Sequence, residues 1–421
     1  MHGIDLINPG SKGADSEEFR NLRAALDAPD PYMADGALSD HLLQAMWYPA
    51  TEFSARDHIN VATGHPFKCV SYYADAPDVV AYCMADGDNH LATIGAPFIR
   101  RLVKICDRMD GVLQHRPTIS KDETKLERDP ELSALLAGDV QVDEAEANEI
   151  VAGWPEAGKD GQQIPLGPYA LFYDLVRLVW VHEWAHALTG HVRFAARDLQ
   201  LMGIEEFSAQ RANFRMPGEA QPPAHEIFQA IELHADEFAT RYLTHEILWG
   251  YDPVGRLAGP RVDLVDRLLI YNVAFCVFAV MWWMSERRYW PEQSFYPERQ
   301  PLGSNEPEPI FDTFTTTHPP SALRYMRFRD FQRELTAAAS AEFGATLVPS
   351  VDSASFLFLN GPLTEVDGHF GAFTVITPVI ARTPTMKLLI EYEAHLLEHD
   401  AFISPRLVEL GYQPTRNPFA E

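Results

Sequence analysis

The feature that most constrains this chain is one segment, residues 169–191, which is apolar on almost every side of a helix yet contains the pattern His-Glu-x-x-His. A helix that is apolar around its whole circumference is typical of a protein core. Ionisable side chains are costly to bury unless a partner compensates for the lost water. His182, Glu183 and His186 therefore indicate a partner inside the core, and a metal ion fits that requirement.

The spacing of the two histidines favours zinc. Side chains four residues apart project from the same face of a helix, so His182 and His186 can both reach one Zn²⁺ at about 2.0–2.1 Å. The carboxylate of Glu183 then faces the open coordination position, where it can act as a base. A chance match to so short a pattern is the competing interpretation, and the apolar surroundings weigh against it.

A catalytic zinc ion usually takes a third protein ligand, and a second predicted helix offers one. Glu232 begins the run ELHADEFA, and Asp236 follows one turn later on the same face. We predict that Glu232 binds the metal and that Asp236 orients a ligand imidazole from outside. An acidic, solvated helix face is the alternative, and His191 remains a competitor for the third ligand position.

The blocks HEWAH, ELHAD and THPPSALR occur in this order along the chain. Over residues 70–335 the chain resembles the gluzincin metallopeptidases that include the CAAX prenyl protease and the HtpX heat-shock protease. It is more loosely similar to the Lit phage-exclusion peptidase and to ImmA-type peptidases. The strand residues Val80, Ala81 and Tyr82 resemble the family's asparagine-alanine-aromatic strand, with valine in place of the asparagine.

The resemblance implies a zincin-like α+β fold, a small twisted sheet beside the zinc helices, and further helices after them. It also implies roles for the third block. His318 would donate to the oxyanion that develops opposite the metal, and Arg324 would pair with Asp236. A loop histidine before two prolines and a solvent-facing arginine are the alternatives. Substrate would add as an extended strand at the sheet edge formed by Val80–Tyr82.

We therefore expect a zinc-dependent endopeptidase that acts on a protein or peptide, with Glu183 as general base and acid. Two other classes stay open. One is a non-catalytic zinc-bound regulatory or toxin-defence module. The other is a membrane-associated prenyl-protein protease, for which residues 268–284 are the one borderline span; their length and position favour a buried core helix instead.

The order of apolar runs suggests three regions: an N-terminal extension (1–66), a metallopeptidase domain (67–340) and a C-terminal accessory region (341–421). An acidic segment around 116–167 is predicted to be a surface insertion. Strands are predicted at 68–73, 78–84 and 89–94, with two more candidates at 355–359 and 373–381. Helices are predicted after Pro97, around 169–191, 224–249, 268–284, 321–335 and 387–399.

The composition of the chain indicates which classes of partner and which cellular compartment to expect. The net charge of −26 disfavours nucleic acid, whose phosphates would be repelled. The four cysteines are too widely spaced for a zinc ribbon or a disulfide framework, which suggests a reducing compartment. The first residues show no export signal, so we expect a cytoplasmic location. The oligomeric state does not follow from the sequence.

Overall fold

The computed structural model describes residues 3–7, 16–54, 68–76, 80–114, 130–154, 167–199, 201, 203–206, 223–249, 264–289, 318–319, 321–343 and 384–412. Its strands are β1 (Gly3–Leu6), β2 (Lys68–Ala74), β3 (Ala81–Asp86), β4 (Asn89–Gly95) and β5 (Gly203–Glu206). Its helices are α1 (Glu17–Ala25), α2 (Gly36–Ser54), α3 (Ala96–Gln114), α4 (Pro130–Ala137), α5 (Glu144–Ala152), α6 (Pro168–Leu188), α7 (His191–Phe194), α8 (Ala224–Leu248), α9 (Leu264–Tyr289), α10 (Ser321–Phe343), α11 (Pro384–Glu398) and α12 (Asp400–Glu409). The α+β prediction is confirmed.

The sheet is mixed, with the strand order β1-β2-β4-β3-β5. Strands β1, β2 and β4 run parallel, whereas β3 is antiparallel to both β4 and β5. A tight turn joins β3 to β4, and Gly87 adopts a positive φ of 59° there, which an L side chain rarely does. The three strands predicted between residues 68 and 94 are thus confirmed.

Helix α6, which carries the HExxH pattern, is buried along its whole length from Tyr169 to Leu188. Two further ionisable residues on it are explained by pairing. Asp174 binds Arg267 of α9, and Arg177 Nη2 lies 2.5 Å from Glu246 Oε2 of α8. Because breaking such a buried pair leaves an uncompensated charge, these contacts fix α6 against the two helices that flank it.

The apolar run 268–284 lies within α9, and its side chains from Ile270 to Trp282 are buried among other helices. Phe275 of this helix stacks on Phe328 of α10, with ring centroids 3.6 Å apart. The predicted core helix is therefore confirmed. Among the described residues, no helix combines the length and the apolar character that a membrane crossing requires.

The described residues of the predicted N-terminal extension pack against the rest of the fold. Strand β1 pairs with β2, and α2 buries Leu38 and Leu42 in the main core. The described part of the predicted surface insertion is also packed, with Leu132 and Val151 in the same core. A short helix with one apolar face has the same sequence pattern whether it lies at the periphery of a domain or packs into the main core.

The C-terminal helices α11 and α12 pack against α8 and α7. Tyr412 lies against Gly190, where an added Cβ would come within 2.5 Å of the tyrosine ring. Gly190 also has a φ of 81°, so both the backbone conformation and the close approach of Tyr412 require glycine at this position. The predicted helix 387–399 is confirmed, and the strand candidates at 355–359 and 373–381 lie outside the described residues.

Candidate metal centre

Three predicted ligand side chains converge between α6 and α8. The Nε2 atoms of His182 and His186 are 3.0 Å apart, and each lies 3.3 Å from a carboxylate oxygen of Glu232. Donors placed about 2.0–2.1 Å from a tetrahedral Zn²⁺ are about 3.3 Å from one another. The three side chains thus already have the separation that one small ion requires, and they form a buried group that could hold a metal.

The surroundings of Glu232 fit a cation. Its side chain is 1 % exposed, and neither of its oxygens accepts a hydrogen bond within the described part of the chain. Burial alone would raise the pKa of this carboxyl group, but the neighbouring imidazoles of His318, His186 and His182 outweigh it and keep the pKa below its usual range. A buried carboxylate that stays ionised among imidazoles is suited to binding a metal ion.

Asp236 and Arg324 form the predicted pair behind His182. Arg324 donates from Nε to Asp236 Oδ2 at 2.6 Å and from Nη2 to Oδ1 at 2.7 Å. Asp236 Oδ1 lies 3.1 Å from His182 Nδ1, so the nitrogen that does not face Glu232 has a carboxylate partner. Such a partner fixes the tautomer of a metal-binding imidazole and leaves Nε2 for the ion.

The guanidinium of Arg324 is also covered from its other side. Its Cζ atom lies 3.6 Å from the ring centroid of Trp282, a cation–π contact. Although burial raises the pKa of the Asp236 carboxyl group, Arg324 and His182 together more than offset this effect and lower it. One arginine therefore links α8, α9 and α10 behind the candidate metal ligands.

The second ligand has a different outer partner, which sequence reasoning missed. His186 Nδ1 lies 3.2 Å from His191 Nδ1, on the side of the ring away from Glu232. His191 therefore lies behind the candidate ligand His186 and is not part of the group formed by His182, His186 and Glu232. The ring of His191 is 5.6 Å from that of His234, whose Nε2 lies 2.7 Å from Asp400 Oδ1.

Glu183 is 1 % exposed and is close enough to the sheet for its charge to act on two cysteines there. Burial is the main cause that raises the pKa of the Cys69 thiol to about 12 and that of Cys83 well above its usual range, and the charge of Glu183 contributes to both shifts. These cysteines belong to β2 and β3. The carboxylate predicted to act as base thus lies between the ligand helix and the sheet.

His318 lies next to the converging group. Its Nε2 atom is 3.5 Å from Glu232 Oε2, and its side chain is 14 % exposed. The residues just before α10 therefore bring a mostly buried imidazole against Glu232, and its Nε2 atom is enclosed by protein.

The predicted substrate strand needs correction. Ala81 and Tyr82 lie in β3, but β5 covers the expected edge by pairing with them through Glu206 and Glu205. Val80 accepts a hydrogen bond from the backbone of Gly95 on the opposite side. The sheet edge predicted at Val80–Tyr82 is therefore occupied, and the four residues of β5, GIEE, carry too short a pattern to predict this pairing.

A narrow cavity lies behind His182, with Asp236 and Arg324 at its polar end. Its remaining walls are mostly apolar: Leu178, Val179, Ala239, Thr240, Phe275, Phe278 and Trp282. The space amounts to about 20 Å³, little more than one water molecule requires. The described residues behind the candidate centre are therefore closely packed.

Comparisons with protein-family models, with curated proteins and with solved structures give no match for this chain. The functional assignment therefore depends on the geometry of the residues described above.

Proposed function

We propose that this protein is a zinc-dependent endopeptidase whose metal is bound by His182, His186 and Glu232. The observation that carries the proposal is the convergence of these three buried donors from α6 and α8, with Glu183 next to His182 on α6. A purely structural zinc site would use four protein ligands, whereas three leave a position for substrate and water.

The zinc ion, when bound, would polarise a scissile carbonyl group and lower the pKa of a nearby water molecule. Glu183 accepts the proton of the attacking water and later delivers it to the leaving amine. Its burial suits this exchange, since a carboxylate removed from bulk water is a stronger base. His318 donates a hydrogen bond to the oxygen that becomes negative as the tetrahedral intermediate forms.

The outer contacts hold this arrangement in place. Asp236 keeps the His182 tautomer that presents Nε2 to the ion, and Arg324 keeps Asp236 ionised. Arg324 also belongs to the helix that begins three residues after His318, so the same ion pair positions the donor relative to the ligands. A peptide would approach from the His318 side, and strand addition would use the outer edge of β5 in place of β3.

The test is a search for new protein N-termini in cells that express either the wild-type chain or Glu183→Gln, identified by mass spectrometry. We expect cleavage products that appear with the wild type and are absent with Glu183→Gln. Glu334→Gln is a control, because this exposed glutamate pairs with Arg241 outside the converging group. Zinc-loaded wild-type protein that yields no products would favour a non-catalytic zinc module and contradict the proposal.

A further inference from the structure

We propose a second binding site for a transition-metal ion of the Zn²⁺ class, formed by Glu226, His395 and His399. Glu226 belongs to the first turn of α8, His395 belongs to α11, and His399 lies between α11 and α12. No part of the proposed peptidase chemistry uses these residues, so the two sites can be tested separately.

The geometry resembles that of the first centre. The Nε2 atoms of His395 and His399 lie 3.1 and 2.8 Å from Oε2 of Glu226, and the three donor atoms are all within 4.8 Å of one another. The two imidazole rings are 5.1 Å apart and nearly perpendicular. Small adjustments of these side chains would bring all three donors to about 2.0–2.2 Å from one ion.

The donor set selects the ion. Two imidazoles and a carboxylate suit Zn²⁺, Co²⁺, Ni²⁺ or Cu²⁺, whereas Mg²⁺ and Ca²⁺ prefer oxygen ligands. Both imidazole Nε2 atoms lie against the same carboxylate oxygen of Glu226, so the two kinds of donor already face one another. The side chain of His395 is 32 % exposed, which gives an ion a path from solvent.

The position of the site suggests its role. Tyr392 of α11 donates to Gln229 of α8 at 2.6 Å, and Asp400 of α12 contacts His234 of the same helix. An ion bound to Glu226, His395 and His399 would add a third, stronger link between the C-terminal helices and α8. Glu232 lies six residues, or about 9 Å, further along α8 than Glu226. Metal bound at the second site would therefore stabilise the position of the helix that carries a proposed zinc ligand.

The experiment measures zinc per chain by equilibrium dialysis and elemental analysis on the full-length protein. We expect two Zn²⁺ ions in the wild type, one in His182→Gln/His186→Gln and one in His395→Gln/His399→Gln. In His182→Gln/His186→Gln, added Zn²⁺ should raise the melting temperature. Added Co²⁺ should give visible absorption bands of the kind seen when the ion is bound by few, unlike ligands. Far-ultraviolet circular dichroism checks that each variant is folded.

Glu226→Gln provides a second variant, because it keeps the shape and a hydrogen-bond acceptor while removing the negative charge. In the His182→Gln/His186→Gln background it should weaken Zn²⁺ binding at least tenfold. A His182→Gln/His186→Gln chain that is folded but holds no zinc would overturn the second site and leave the peptidase proposal intact. The reverse result, in which only His395→Gln/His399→Gln loses zinc, would support the second site and contradict the first.

Discussion

The two histidine–glutamate clusters use the same donors in different settings. Both take a glutamate from α8 and two histidines four residues apart, yet the ligands of the first centre are at most 7 % exposed, whereas His395 is 32 % exposed. The first cluster also has Glu183 and His318 beside it. In the proposed function, the ligand set alone does not specify catalysis; the proposed base and donor, and the buried contacts behind the ligands, distinguish the first cluster.

The largest difference between the clusters should appear on removal of the base. Glu183→Gln should retain zinc and lower the catalytic constant by about 10²–10⁴-fold, because it removes proton transfer and no ligand. The measurement is zinc content together with peptide hydrolysis on a substrate found in cells. Loss of the metal from this variant would show that Glu183 is a ligand, and full activity would remove it from the mechanism.

Loss of the Arg324–Asp236 ion pair behind the first centre should have the next largest effect, on the free energy of unfolding. Arg324→Ala leaves Asp236 as an unpaired buried charge and should reduce the free energy of unfolding by about 3–5 kcal/mol. Arg324→Lys should recover little, since an ammonium group cannot make both hydrogen bonds. Chemical denaturation measures both variants.

A matched control for the buried pair is Arg327→Ala on the same helix. Arg327 pairs with Glu237 and Glu393, and its side chain is 17 % exposed. We expect a smaller cost than for Arg324→Ala, because the side chain of Arg327 keeps contact with solvent whereas that of Arg324 is 1 % exposed. Equal losses for Arg324→Ala and Arg327→Ala would contradict the special role of the Asp236 pair.

His318, the proposed oxyanion donor, has no counterpart in the second cluster, and its replacement gives the next prediction. His318→Ala should lower the catalytic constant by about 10²–10³-fold with little change in KM, because a donor to the oxyanion acts mainly in the transition state. Steady-state kinetics on a defined peptide measure the two constants. A rise in KM alone would instead make His318 a substrate-binding residue.

A chelator should remove zinc from the two clusters at different rates. An ion held by the partly exposed His395 should leave quickly on addition of a chelator, whereas an ion enclosed by His182, His186 and Glu232 should leave slowly. Zinc release followed with a coloured indicator should therefore have two phases, and peptidase activity should fall with the slow one. A single phase that carries the whole activity would contradict this difference in access.

Much of the first centre follows from local geometry in the sequence. The spacing of His182 and His186 fixes their shared face, and the spacing of Glu232 and Asp236 does the same on α8. The Arg324–Asp236 pair was predicted from a family resemblance together with the need of a buried carboxylate for a cation. These features were predictable because each depends on one helix or on one strong charge requirement.

The features that sequence reasoning missed depend on contacts between distant segments. Glu226 and His395 are 169 residues apart, so no local pattern predicts that they meet. The one available signal was the spacing of His395 and His399. Strand β5 was missed because four residues with no clear alternation cannot indicate a partner, and its pairing with β3 is decided by the rest of the fold.

The central claim is that one metal ion lies between His182, His186 and Glu232 beside Glu183. Anomalous X-ray scattering at the zinc edge, from crystals of the full chain, tests it most directly. We expect a peak about 2.0–2.2 Å from Nε2 of both histidines and from a carboxylate oxygen of Glu232, with Glu183 outside bonding distance. A zinc-loaded crystal with no peak there, or a peak bonded to Glu183 or His191, would contradict it.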